Sequence, residues 1–238
     1  MSAKLTVMLG EMASSPMLAV GVTLLSYVLA DRLYRRCRMH PLLNPVPLSA
    51  AVVIVLLQLT GWSYQSYFEG AQYIHLLLGP AVVALAVPLY RVLPLLRQLA
   101  LPLAVGAICG SLTAITSAIL IARLLDASRE VVLSLAPKSA TAPVAMAIAG
   151  EIGGIPALAA VLAVLTGITG AVLGGWVLDL VRVRDPGTRG FAVGLTSHGI
   201  GTARMLQVDS TAGAFAGAAM GVNALLTALL LPLLFGAF

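Results

Sequence analysis

Charge is what this 238-residue chain lacks most. Asp, Glu, Lys and Arg together make up 10% of it, against about 25% in a typical soluble domain. The shortage excludes a soluble globular enzyme, a disordered chain and a nucleic-acid-binding domain. A net charge of +5 does not restore the last of these. The Lys and Arg residues sit between long apolar runs rather than on one face of a soluble fold, and there they report membrane orientation. Cysteine is almost absent. Cys37 in a basic loop and Cys109 in an apolar run provide neither a disulfide framework nor a metal-ligand spacing, so both are read as reduced thiols. Also missing are the alternating segments of a transmembrane β-barrel, a phosphate-binding loop and a Ser-His-Asp set. Ser197 and His198 are adjacent, which argues against a simple nucleophile–base pair. No enzymatic activity, cofactor or metal is expected.

What is present is apolar length. Hydrophobic residues make up 60% of the chain, and mean hydropathy is +1.01. A crossing helix needs about 20 such residues. The expectation is an all-α polytopic membrane protein with about six to eight membrane segments. Residues 1–238 are read as a single transmembrane domain, with plain helices in 1–125, two broken-helix units in 126–238, and no separate soluble part. The first run, 16–30, is followed by Asp31, Arg32, Arg35, Arg36 and Arg38. Because the positive charge comes after the run, it reads as a retained helix rather than a cleaved leader. A second run at 46–60 leads into the aromatic stretch 61–70, which has no Lys or Arg and suits an outer boundary loop. Runs at 73–90, with Gly79-Pro80, and at 99–122 follow. Asn44 and Asn223 are expected to make interhelical hydrogen bonds. His40 and His75 flank runs and carry little signal.

Two later segments behave differently. Residues 131–154 are apolar but interrupted at Pro137-Lys138-Ser139-Ala140-Thr141-Ala142-Pro143, and 190–206 are interrupted at Thr196 to Thr202. Clean runs follow each, at 155–180 and 211–235. The positive-inside rule links them. With the N-terminus outside, Arg32 to Arg38 and then Arg91 and Arg97 fall inside. Arg182, Arg184 and Arg189 fall inside only if 131–154 dips into the membrane and returns. The segment 190–206 is then a second dipping hairpin, entering from the inside. Two re-entrant hairpins from opposite faces characterise transporters built from inverted repeats; two ordinary kinked spans are the alternative.

Backbone without helical hydrogen bonds survives in a membrane only against protein or a water-filled cavity. Each break is therefore expected to line a site. Half-helix N-termini favour anions, and Ser139, Thr141, Ser197 and Thr202 offer hydroxyls. Gly199 and Gly201 allow close backbone approach. Lys138, His198 and Arg204 are ionisable groups inside apolar segments, where such groups face cavities or partners. This set favours a small carboxylate, with Arg204 as a bidentate clamp and His198 as a proton carrier. Each has a plainer reading beside it. Lys138 pairs with Glu151 or snorkels, Arg204 pairs with Asp209, and His198 satisfies backbone carbonyls. Glu151 carries a proton or lies in a loop before Gly153-Gly154. Pro80, Pro137 and Pro143 are structural breaks.

The chain resembles the LrgB/CidB family of bacterial membrane proteins from about residue 41 onward. The resemblance is carried by Pro41-Leu42-Leu43-Asn44-Pro45, Leu78-Gly79-Pro80, Pro137-Lys138-Ser139-Ala140-Thr141-Ala142-Pro143, Gly153-Gly154-Ile155-Pro156, Ser197-His198-Gly199-Ile200-Gly201-Thr202-Ala203-Arg204 and Gly213-Ala214-Phe215. Ala142 departs from the pattern, where a second Thr is expected. The resemblance implies a multi-pass protein of the inner or plasma membrane with a smaller LrgA/CidA-type membrane partner. It implies either transport of small monocarboxylates such as pyruvate, glycolate or glycerate, or a holin-like role in murein hydrolase control and cell lysis. A homodimer in the lipid bilayer is expected, and no nucleic acid.

Overall fold

The computed structural model describes residues 16–37, 43–77 and 86–235. Pro80, His40 and Pro41 lie outside the described residues. Every regular element among the described residues is helical. Among the described residues four helices are long and apolar enough to cross a membrane. The described residues group into two compact units, divided at residues 84 and 85.

The first unit holds α1 (Pro16–Arg36), α2 (Pro45–Thr60) and α3 (Tyr64–Leu76). Asn44 is expected from sequence to bond between helices; among the described residues it caps α2. Its Oδ1 accepts from the Val46 N–H at 3.0 Å, and Pro45 at the first helical position needs no hydrogen-bond partner for its nitrogen. Gly61 ends α2 in the left-handed region, with φ 69°, where glycine is least strained. The aromatic stretch after it is helix rather than loop. Ser63 Oγ accepts from the Ser66 N–H at 3.2 Å, which starts the new helix. Tyr67 then packs into a core with Ala19 and Val53, and its hydroxyl lies 2.7 Å from Thr23 Oγ1. Trp62 meets the Tyr67 ring edge-on at 5.6 Å. Burial against α1 decides the outcome here, over boundary composition.

The second unit begins with the short helices α4 (Ala86–Arg91) and α5 (Leu93–Gln98) and the spanning helix α6 (Ala100–Leu124). Ser128 then caps α7 (Arg129–Leu135), which stops after seven residues. Residues 136–140 turn, with Lys138 N bonded to Leu135 O and Ala140 N to Pro137 O. The chain doubles back as α8 (Ala142–Ile152). Its far end returns to the side of α7. A Cβ on Gly154 would stand 2.9 Å from Ser134 N, and Ile155 N donates to Ser134 Oγ at 2.8 Å. Residues 129–154 are thus a helical hairpin. From this same end runs α9 (Pro156–Leu180), about 37 Å long at 1.5 Å per residue and long and apolar enough to cross a membrane.

The second broken segment is sharper. Asp185 caps α10 (Pro186–Val208), and His198 interrupts it with φ 41° and ψ −136°. The neighbours on α11 (Ser210–Phe235) show that this interruption reverses the chain. Before it, Gly190 abuts Ala212 and Gly194 abuts Ala216, so the chain rises along α11. After it, Gly199 faces Met220, Thr202 faces Gly217 and Leu206 faces Gly213, so the chain descends. The two halves, 186–197 and 199–208, pack on each other: a Cβ on Gly201 would lie 2.6 Å from Ser197 Cβ.

The ingoing half runs with α6, as Gly106 meets Phe191 and Gly110 meets Leu195. It runs against α9, as Gly175 meets Arg189 and Gly170 meets Ser197. The second hairpin therefore enters from the face opposite the first. Hairpin plus spanning helix occurs twice, α7–α8–α9 and α10–α11, in inverted orientation. This is the repeat that the two sequence breaks led one to expect.

Candidate functional site

The hairpin tips converge. Lys138 and Ser139 at the tip of the first hairpin and Thr196 and Ser197 at the tip of the second line one cavity of about 680 Å³. Its walls are α6, through Gly110, Thr113 and Ser117, and α9, through Thr166, Thr169 and Gly170. The tip of the first hairpin is fixed by a buried bridge. Asn223 on α11 donates from Nδ2 to the Ser139 carbonyl at 3.0 Å and accepts on Oδ1 from Ser111 Oγ of α6 at 2.7 Å. Three segments distant in sequence are joined by one amide, so Asn223 does act between helices as expected.

The polar atoms of the lining divide into two kinds. Thr113, Thr166, Thr169 and Thr196 each donate their hydroxyl proton to the carbonyl four residues back, at 2.7, 2.8, 2.8 and 2.9 Å. Their lone pairs remain as acceptors. Donors come from the first tip. Among the described residues Lys138 is the one charged residue in the lining, and its ammonium makes no ion pair or hydrogen bond to any of them. The plainer reading, a pair with Glu151, does not hold: Glu151 is exposed on the last turn of α8. Ser139 is 5% exposed, and its Oγ has no hydrogen-bond partner. Burying a hydroxyl unpaired costs about 1–3 kcal/mol. Ser197, whose Oγ is 3.2 Å from Thr196 Oγ1, lines the same cavity.

The other sequence candidates are placed elsewhere. His198 is buried, its ring lies over Gly167, and Nε2 is 2.8 Å from the Ala163 carbonyl. A carbonyl can only accept, so Nε2 carries the proton and the ring ties the second tip to α9. Thr202 donates to the His198 carbonyl at 2.8 Å and is spent in holding the reversal. Gly201 is needed for contact between the two halves, and Gly199 lies against Met220. Arg204 is half-buried on the outgoing half and does not line the cavity. The expected carboxylate clamp at Arg204 is therefore not assembled here; distance along the helix from the tip separates it. Thr141 is the N-cap residue of α8 without a side-chain cap bond, and Pro143 follows in the first turn. Pro137 is fully buried at the tip.

Sequence reading missed the walls. Thr113 and Ser117 on α6, and Thr166 with Gly170 on α9, recur at a spacing of four along apolar helices. That period alone marks a polar stripe.

The LrgB-like family model matches residues 23–237. The Bacillus subtilis protein YwbG is 35% identical over 214 residues, covering 90% of this chain and 94% of that protein. YxaC of the same organism is 31% identical, with 94% and 96% covered. The holin-like protein CidB of Staphylococcus aureus is 29% identical, with 92% and 95% covered. No solved structure matches.

Proposed function

The chain belongs to the LrgB-like family, and from that premise we propose that it carries small monocarboxylates of pyruvate, glycolate or glycerate size across the membrane. One observation carries the reading. Two hairpin tips that approach from opposite directions meet at a cavity in which, among the described residues, the one charge is the Lys138 ammonium and the one orphaned donor is Ser139 Oγ. A carboxylate supplies what both lack, a charge-assisted acceptor. The hydroxyl lone pairs of α6 and α9 face the remainder of the molecule. Inverted repeats that hold a site between broken helices are suited to alternating access.

Orientation follows from charge. Four arginines, Arg97, Arg182, Arg184 and Arg189, gather at the face where α10 begins, against two, Arg123 and Arg129, at the other face. By the positive-inside rule the α10 face is taken as the cytoplasmic one, in a plasma or inner membrane. A homodimer and a smaller LrgA/CidA-type partner belong to this reading.

The name of the CidB relatives, holin-like, favours a second reading: a pore or a regulator of lysis. One experiment separates the two. Proteoliposomes holding the full chain are tested for uptake of radiolabelled pyruvate and glycolate, and in parallel for release of a trapped dye. Saturable uptake without dye release supports the carrier; dye release without saturable uptake replaces it with the pore.

A further inference from the structure

Among the described residues the cavity lining holds one group able to change its charge. We infer that Lys138, rather than His198, is the group whose proton travels with the carboxylate; this rests on the carrier reading above. The argument is one of placement. A lysine at a re-entrant tip within the membrane has no carboxylate partner among the described residues. An isolated ammonium there is costly to keep, and lysine, unlike arginine, can shed its proton when desolvated. A bound carboxylate restores the partner. Occupied, the site holds an ammonium and a carboxylate with no net charge; emptied, Lys138 passes its proton to water and the site is again uncharged. The proton enters with the anion at one face and leaves with it at the other.

The titratable groups on every element around the cavity lie elsewhere. On α6, Cys109 and Arg123 are absent from the lining. Arg129 and Glu130 stand at the outer end of α7, and Glu151 is exposed on the last turn of α8. Asp179 of α9 is paired with Arg189 of α10 at 2.7 Å. Arg204 is on the outgoing half of α10, and α11 carries no titratable side chain. His198 is the rival, but its Nε2–H is committed to the Ala163 carbonyl and its ring is packed on Gly167. It fills a structural position that a neutral amide donor can take.

The test uses proteoliposomes of the full chain, with membrane potential clamped by potassium and valinomycin and an acid-outside pH gradient. One proton per carboxylate predicts about tenfold accumulation of radiolabelled pyruvate per unit of pH gradient, since a tenfold ratio and one pH unit are the same free energy. Lys138→Arg keeps the cation but cannot release its proton. It is expected to exchange labelled for unlabelled pyruvate while its accumulation ratio falls to about one. His198→Gln is expected to keep the tenfold ratio. Should Lys138→Arg not assemble, the wild-type protein in detergent gives the second readout. Adding pyruvate in weakly buffered solution is expected to draw in about one proton per site, and to do so in His198→Gln as well. Accumulation in Lys138→Arg, its loss in a His198→Gln variant that still exchanges pyruvate, or pyruvate binding without proton uptake in the wild type overturns the assignment and leaves the carrier standing. Absence of any saturable carboxylate uptake by the wild type overturns both.

Discussion

Asn223 gives the most direct handle on the site, because one side chain joins α11, α6 and the tip of the first hairpin. Replacing it with Leu keeps the volume and removes both hydrogen bonds. Ser111 Oγ then loses its acceptor, and the Ser139 carbonyl loses the donor 3.0 Å away. Asn223 is 1% exposed and Ser111 likewise, so water does not replace either bond at once. Two magnitudes compete. Interhelical hydrogen bonds in membrane proteins average only about 0.6 kcal/mol each by double-mutant cycles, which makes the pair worth about 1 kcal/mol. Buried polar groups left unpaired cost about 1–3 kcal/mol each. The second figure governs here, because the Ser139 carbonyl has no helical donor to turn to, while Ser111 Oγ falls back at best on the Ala107 carbonyl four residues earlier, as Thr113 does on Cys109. The Ser139 carbonyl sits in the non-helical tip, and Ser111 has no other hydrogen bond. The expected loss is about 2–4 kcal/mol, or roughly 5–15 °C in melting temperature at about 2–4 °C per kcal/mol for a chain of this size. Function is expected to suffer separately. A freed tip lets Lys138 and Ser139 drift, and about 1.4 kcal/mol of lost positioning is tenfold in KM for carboxylate uptake. Melting is followed by fluorescence-detected size exclusion of the detergent-solubilised protein, and KM by proteoliposome uptake. Ser111→Ala in the Asn223→Leu background is expected to recover part of the stability by removing one orphan, with no recovery of KM. An Asn223→Leu protein as stable and as tight for substrate as the wild type refutes the claim that this amide fixes the tip.

Ser139→Ala removes the unpaired Oγ. It is expected to leave stability unchanged or raise it by up to about 1 kcal/mol, while weakening carboxylate uptake about tenfold; a stability loss with unchanged uptake contradicts the role given to that hydroxyl. Gly190→Ala places a methyl group on the Ala212 carbonyl oxygen. Backbone cannot swing aside as a flexible side chain can, so a loss at the top of the usual overpacking range, about 3 kcal/mol, is expected in the same melting assay. The Asp185 carboxylate accepts from the Thr188 N–H and hydroxyl, both at 2.7 Å, and those bonds hold its pKa below the usual carboxylate range. A lowered pKa means stabilisation that is present above the unfolded-state value, about 3.9, and is lost as pH falls through the lower folded value. The melting difference between wild type and Asp185→Ala is therefore expected to reflect about 1 kcal/mol of capping at neutral pH. That difference should close only at strongly acid pH; an unchanged difference there contradicts the cap.

The two breaks were legible in the sequence for a physical reason. Prolines at 137 and 143, and a Gly-rich, hydroxyl-rich run at 196–202, interrupt hydrophobic segments that otherwise have every reason to remain helical, and such interruptions persist in a membrane only around a site. The charge count at the loops then required an even number of crossings between them, which is what re-entry provides. Within a break, however, sequence marks residue types without saying which way they face. Lys138, His198 and Arg204 all look like cations in an apolar span. Only the reversal at His198, where one residue with positive φ turns the chain through itself, decides that Ser197 faces the cavity, His198 the carbonyl of Ala163, and Arg204 neither. The same reversal explains why Asn223 was visible as an interhelical residue while its partners were not. Its bonds run to positions 111 and 139, two places whose proximity is created by inverted packing and by no local pattern. The residues most easily read as chemistry, the histidine and the arginine, are thus the ones that hold or flank the hairpin. The lysine at the other tip, whose plainest reading was a surface or paired group, is the charge that the cavity encloses.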